Sequence, residues 1–147
     1  LPIGVPSNLI PFITQTGIGM REELTVHGGD YETIDGTCIR DYIHVVDLAQ
    51  AHLKALSHLA NNCNHGSVDI INIGTGNGTS VLEVINAFEE VSEVNLNYKV
   101  GPRREGDVVA VYADATKAKE VLGWEAKLNL KDMLASAWKW EQKIRKI

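Results

Sequence analysis

What this chain lacks narrows its chemistry first. Its two cysteines, Cys38 and Cys63, form no C-x-x-C spacing, so they indicate neither a metal site nor a disulfide framework and read as reduced packing residues. No apolar stretch approaches the roughly 18 residues that suggest a membrane span, and no signal-peptide pattern opens the chain. Positive charge is not in excess: 14 Lys and Arg stand against 19 Asp and Glu, a net charge of −5. A generally basic nucleic-acid surface is therefore disfavoured, while a local basic pocket is not. The sequence has no internal repeat, no low-complexity linker, no G-x-S-x-G elbow, no Walker loop and no Tyr-x-x-x-Lys pair. His52, His58 and His65 keep no ligand spacing with another metal-binding side chain, so no metal site is expected. The default is a soluble cytoplasmic protein without a complete catalytic set.

What remains is enough for one domain: 147 residues, 44% apolar and 22% charged, which can bury a real core. The chain opens at Leu1 rather than Met and reads as a piece of something longer. Residues 9–18 predict a helix, with Pro11 in the tolerant first turn and Gly19 behind it. Residues 24–27 predict a short strand, followed by the turn Gly28-Gly29-Asp30. Residues 38–46 predict a second extended segment. Asp47, with Gln50 as capping partner, predicts a helix whose apolar stripe is Leu48, Ala51, His52, Ala55, Leu56 and Leu59. Residues 68–73, from Val68 to Ile73, are almost continuously apolar, as in a strand covered on both faces. The glycine-rich residues 74–78 turn that segment into a helix opened by Ser80 and Glu83. Residues 96–100 predict another strand, Asp114 a short helix ending before Gly123, and Asn129 a last helix carrying Leu130, Met133, Leu134, Ala137, Trp138 and Ile144. The fold class is α/β, mixed helices and short strands, with residues 68–73 placed for a sheet whose other members lie elsewhere.

Three places carry chemistry. The glycines of residues 74–78 could admit a phosphate to a helix N-terminus, but their spacing is not G-x-G-x-x-G and a plain strand-to-helix turn is the simpler reading. In Pro102-Arg103-Arg104-Glu105-Gly106-Asp107, two guanidiniums could hold a diphosphate and Asp107 could accept from sugar hydroxyls. A solvated loop with an internal Arg–Glu pair explains the same residues. In Arg40-Asp41-Tyr42-Ile43-His44, alternation sends Arg40, Tyr42 and His44 to one face and Asp41 and Ile43 to the other. Arg40 could add a phosphate contact. His44 reads as a satisfied structural histidine more readily than as an acid or base.

In order along the chain, these segments resemble the C-terminal half of the UDP-glucose 4-epimerase family, which are extended short-chain dehydrogenases/reductases. The matching residues are Val5-Pro6-Ser7-Asn8-Leu9-Ile10-Pro11, Asp35-Gly36-Thr37 leading into Arg40-Asp41-Tyr42-Ile43-His44-Val45, Asn72-Ile73-Gly74-Thr75-Gly76, Pro102-Arg103-Arg104-Glu105-Gly106-Asp107, and Ala113-Asp114 with Lys117-Ala118. The resemblance covers essentially the whole chain. It implies that residues 1–147 form a C-terminal UDP-sugar-binding portion, and that the N-terminal Rossmann domain, which binds NAD and supplies the Tyr–Lys pair, is absent from this chain. Intact family members are homodimers that use NAD, and the isolated chain would be inactive and prone to self-association.

Residue by residue, the resemblance implies that Asn8 and Leu9 hold the nucleotide near a helix start and that Thr25 and His27 flank the uracil. Arg40 and Arg104 would hold the diphosphate, Asp107 the ribose, and Tyr42 would line the same pocket. At Val111 some members carry a bulky tyrosine that closes the sugar pocket. Val111 leaves more room, which implies tolerance of UDP-N-acetylhexosamines beside the plain hexoses. Another nucleotide-sugar epimerase, a dehydratase of the same superfamily, or a stand-alone UDP-sugar binding module are the alternatives.

Overall fold

Local capping sets the start of several helices. A computed structural model describes residues 5–61 and 68–145. Its elements run α1 (Leu9–Gly17), β1 (Leu24–His27), β2 (Ile39–Arg40), α2 (Val45–Asn61), β3 (Thr79–Ser80), α3 (Val81–Ser92), β4 (Tyr98–Gly101), β5 (Ala110–Val111), α4 (Thr116–Leu122) and α5 (Leu130–Arg145). The predicted capping box of α3 is present: Ser80 Oγ accepts from Glu83 N at 3.1 Å, and Glu83 Oε2 accepts from Ser80 N at 2.7 Å. Asn129 and Asp132 exchange the equivalent pair of bonds, each 3.0 Å, at the start of α5. Asp114 Oδ1 accepts from Thr116 N at 3.0 Å in a turn just before α4, whose cap position is Ala115 rather than the predicted Asp114.

The strands form two small sheets. β1 and β4 run parallel, with Leu24 opposite Tyr98 and His27 opposite Gly101. β2 lies between β3, antiparallel to it, and β5, parallel to it. Beneath the first sheet, Ile13, Leu24, Val26, Val84, Ile85, Phe88, Leu96 and Leu134 make the main core. Phe88 meets Trp138 edge-on at 5.4 Å and 87°, fastening α3 to α5 by about 0.5–1.5 kcal/mol beyond burial. A smaller core joins Ala51, Ala118, Leu122 and Trp124, with Ile43, Ile71 and Ile73 packed on it.

Residues 41–44 run between the two cores, and here the predicted alternation is seen. Tyr42 packs on the main core and Ile43 on the smaller one. The extended segment is shorter than predicted, because the ladder ends at Arg40 and the helix already begins at Val45. Asp47 therefore does not cap α2. His44 does: its Nδ1 accepts from Val46 N at 3.0 Å. Asp47 is buried instead, and its Oδ2 accepts from Lys127 N and Leu128 N at 3.0 and 2.8 Å.

Two expectations need correction. Of the α2 stripe, only Ala51 is buried, while Leu56 and Leu59 are exposed together with Val45, Val46 and Leu53. Among the described elements the helix packs mainly on α4 and Trp124, through Ala51 and Ala55, and this contact leaves Leu53 and Leu56 exposed. Residues 68–73 carry no strand ladder among the described residues. A strand needs a hydrogen-bonded neighbour, and among the described residues the bonds to this segment come from the Lys117 side chain. Lys117 Nζ donates to Asp69 and, at 2.9 Å, to the Ile70 carbonyl. Ile71 and Ile73 turn inward, while Val68 and Ile70 are 91% and 78% exposed. The alternation of a strand is thus kept, with Ile71 and Ile73 covered and no ladder partner among the described residues. Cys63 and His65 lie outside the described residues; Cys38 is a buried free thiol.

Candidate functional site

The glycine turn, the first place where phosphate chemistry was conceivable, is already occupied by an anion of the chain itself. Asp41 Oδ1 and Oδ2 each accept from Thr75 N at 3.0 Å, and Oδ1 accepts from Thr75 Oγ1 at 2.6 Å. Oδ2 also accepts from Gly76 N at 3.1 Å and Ala113 N at 3.2 Å. Burial works against this charge, but the Thr75 hydroxyl and the three amides outweigh it and hold the carboxyl below its usual range. Gly74 is required by the close approach, since a Cβ there would meet Asp41 Oδ2 and come within 2.6 Å of Ala113 Cβ. The N–H groups that would cradle a phosphate are spent. The turn is structural.

The arginine motifs behave differently, because the fold brings two of them to one carboxylate. Arg40 leaves β2, and its Nη2 reaches Asp107 Oδ1 at 3.4 Å while Nη1 donates to the Val108 carbonyl at 2.7 Å. Arg104 Nη2 reaches the same oxygen at 2.7 Å. The Asp107 side chain is only 11% exposed against 62% for Arg104, so the carboxylate sits beneath its cations. Asp107 in turn raises the pKa of Arg104 by hydrogen bond and charge. The internal pair of the loop is thus Arg104–Asp107 rather than the Arg–Glu pair of the solvated reading. Arg103 goes elsewhere: its Nε donates to Asp30 Oδ1 at 2.7 Å. Val111 is the ladder partner of Arg40 in β5 and is half exposed. Two guanidiniums against one carboxylate leave the cluster cationic, suited to a dianion with planar oxygens.

The other candidates lie at several places, with Tyr42 close enough for the charge of Arg40 to act on it. Leu24 and Val26 point into the core, so Thr25 and His27 share the outer face of β1. His27 faces Gly101 in register, where the arginine loop departs from β4. Asn8 is the N-cap of α1 and makes no side-chain capping bond. Leu9 and Tyr42 both pack against the main core, which leaves Leu9 only its backbone to offer a ligand. Asn8 lines a cavity of about 560 Å³ between α1 and α5 that none of Arg40, Arg104 and Asp107 reaches. Burial pushes the Tyr42 phenol up to about 12, so it is a neutral donor at physiological pH. His44, besides capping α2, stands 3.0 Å from Ser136 Oγ through Nε2. Both ring nitrogens are engaged. Among the described residues no group of three or more His, Cys, Asp or Glu comes together to hold a metal ion, and no helix is long and apolar enough to cross a membrane.

Reasoning from the sequence missed the inward carboxylates. Asp35 accepts from Thr37 N at 2.9 Å, from Thr37 Oγ1 at 2.7 Å and from Ser80 Oγ, and Thr37 Oγ1 accepts from Val81 N at 3.1 Å. This knot carries the start of α3 to the chain entering Arg40. The signal was available in Asp35-Gly36-Thr37, a turn sequence whose aspartate bonds its own backbone two residues on.

Comparison with known proteins gives the site its context. A family model described as GDP-mannose 4,6 dehydratase matches residues 3–137. A UDP-glucose 4-epimerase of Bacillus subtilis (strain 168) is 49% identical over 140 residues, covering 95% of this chain and 40% of that protein. The structure of a UDP-glucose-4-epimerase from Stenotrophomonas maltophila, with bound NAD and formylated UDP-arabinopyranose, superposes with a TM-score of 0.93 at 45% identity, covering 99% of this chain and 43% of that one. That of Bifidobacterium longum UDP-glucose 4-epimerase with NAD+ and UDP gives 0.90 at 46% identity, covering 97% and 41%. The chain spans about two-fifths of the length of the curated relatives it matches.

Proposed function

We propose, since this chain belongs to the family described as GDP-mannose 4,6 dehydratase, that it is the nucleotide-gripping portion of a UDP-glucose 4-epimerase. The observation that carries the reading is the convergence of Arg40 and Arg104 on Asp107. A UDP diphosphate would take the two guanidiniums in place of the internal carboxylate, and Asp107 would accept from the ribose hydroxyls. Thr25 and His27 would flank the uracil, and Tyr42 would donate from the pocket wall. Asn8 and the uncapped start of α1 would offer the nucleotide a further polar edge. Such a grip serves catalysis by orientation, because binding energy from the unreacting UDP fixes where the sugar ring lies.

The residues of this chain do not fit NAD. The glycine turn, its nearest likeness to a dinucleotide site, is filled by Asp41, and no Tyr-x-x-x-Lys pair is present. NAD and the chemical step belong, in this reading, to residues outside the chain, and the open faces of α2 and residues 68–73 would lie against them.

Titrating the intact protein with UDP tests the reading. Arg40→Ala and Arg104→Ala should each weaken UDP about 10- to 100-fold, as expected for one charge-assisted hydrogen bond apiece. Unchanged affinity in both variants would overturn the site. The finer reading, tolerance of N-acetylated sugars, rests on the half-exposed Val111 opposite Arg40. Val111→Tyr should lower turnover of UDP-N-acetylhexosamine relative to UDP-hexose, and an unmoved ratio would refute it.

A further inference from the structure

Two arginines reach Asp107 from separate stretches of chain, so something must hold those stretches in register. We propose that Tyr31 and Arg103 form a positioning clamp that sets Arg40, Arg104 and Asp107 in place, with Arg103 itself making no contact to the anion. The inference rests on the nucleotide reading above and adds a role to a residue that sequence pattern alone paired with Arg104 as a phosphate ligand.

The bonds that Arg103 makes point away from the cluster. Its Nε donates to Asp30 Oδ1 at 2.7 Å and its Nη2 to the Asp30 carbonyl at 2.5 Å. Its guanidinium lies 4.3 Å from the centroid of the Tyr31 ring, within cation–π range. The ring is buried at 6% exposure and its edge rests on the backbone of Gly28. That residue has φ +79°, and a Cβ on it would collide with Tyr31 Cε2 and lie 3.1 Å from Arg103 Cγ. Only glycine allows both contacts at once.

The two sides of this stack lead directly to the site. Tyr31 N donates to the Gly36 carbonyl at 2.9 Å, Thr33 Oγ1 to the Thr37 carbonyl at 2.8 Å, and the chain then runs through Cys38 into Arg40. On the other side, Arg103 is followed by Arg104, whose carbonyl accepts from Asp107 N at 3.2 Å. The clamp therefore joins the turn before Arg40 to the loop bearing Arg104 and Asp107. The Tyr31 hydroxyl is the one buried side-chain polar group without a hydrogen bond among the described residues. Backbone bonds to Gly36 and Thr33 hold residue 31, while the ring itself is placed by packing and by the Arg103 contact.

The test is UDP titration of the intact protein, with its melting temperature followed alongside. Arg103→Ala, Arg103→Lys and Tyr31→Leu should each weaken UDP about ten-fold or more. Lysine keeps the charge but loses the fork. Tyr31→Phe, which keeps the ring, should restore the affinity that Tyr31→Leu loses. The double variant Tyr31→Leu/Arg103→Ala should be no weaker than either single one, and each change should cost less once Arg104→Ala and Asp107→Ala are in place, because only Arg40 is then left to position. Three results would overturn the clamp: losses that multiply in the double variant, a loss on Arg103→Ala without one on Tyr31→Leu, or lowered melting temperatures with UDP affinity unmoved. If the unmutated protein binds no UDP, the nucleotide reading fails separately. The clamp is then judged by exchange of the Asp107 amide, which Tyr31→Leu should accelerate; an unchanged rate would end it.

Discussion

Asp41 offers the sharpest check on how this fold is held, because one side chain supports two distant loops. Replacing it with alanine removes the acceptor of Thr75 N, Thr75 Oγ1, Gly76 N and Ala113 N. These losses are unequal. Gly76 is exposed, so its amide can turn to water, and the Thr75 hydroxyl already has the Asn77 carbonyl at 3.3 Å as a second partner. The half-buried amides of Thr75 and Ala113 are left wanting. At about 1.5–3 kcal/mol for a hydrogen bond to a charged group, two such losses put Asp41→Ala at roughly 3 kcal/mol or more. Asp41→Asn should cost only about 1–1.5 kcal/mol. An amide oxygen at the Oδ2 position still serves the backbone donors, and the amide nitrogen would face a Thr75 hydroxyl able to accept.

Denaturant unfolding of the intact protein measures both, and for a protein of this size or larger 3 kcal/mol corresponds to roughly 6–12 °C in melting temperature. Gly74→Ala should be similarly harmful, since its Cβ meets Asp41 Oδ2 and Ala113 Cβ. Combined with Asp41→Ala it should cost less than the sum, because the first change removes half of the collision. An Asp41→Ala variant within about 0.5 kcal/mol of the unmutated protein, or strict additivity with Gly74→Ala, would refute the argument that this carboxylate is what closes the turn.

How far the sequence reached can be traced to the range of each signal. Ser80 with Glu83 and Asn129 with Asp132 are partners three residues apart, and such local capping was legible for α3 and for the start of α5. The strand at residues 24–27 and the alternation of Tyr42 and Ile43 across the two cores were legible for the same reason, as period and face are local properties. What was hidden is long-range. Asp47 looks like a helix cap from its neighbours, but its partners are 80 and 81 residues away. Asp41 carries no local sign that it fills a glycine turn 34 residues on. The adjacent Arg103 and Arg104 read as one diphosphate pair, yet they part because Asp30 and Tyr31 compete for the first. For α2 the predicted stripe was only partly met, since Ala51 alone of it is buried. Leu56 stays exposed, because a period names a helix face without showing whether anything covers it.

The remaining expectations follow from single features. His44→Ala should cost about 1–2 kcal/mol through the lost α2 cap, without changing UDP affinity; a loss of affinity at unchanged stability would mean that the ring serves the site. The isolated chain should bind an apolar dye and self-associate through Val45, Leu53, Leu56, Val68 and Ile70, all exposed, whereas a monodisperse monomer by light scattering without dye binding would contradict this. Acid sensitivity follows from the inward carboxylates. Burial opposes the charges of Asp35 and Asp41, yet their hydroxyl and amide donors hold both pKa values below 3.8 in the folded chain. The unfolded chain therefore binds these protons first on acidification, so the stability both groups provide is complete above about pH 4 and is lost as pH falls through the folded values. Asp41→Asn should flatten the fall in stability below about pH 4, and an unaltered slope there would show that its hydrogen bonds do not lower the pKa of this carboxyl in the folded chain.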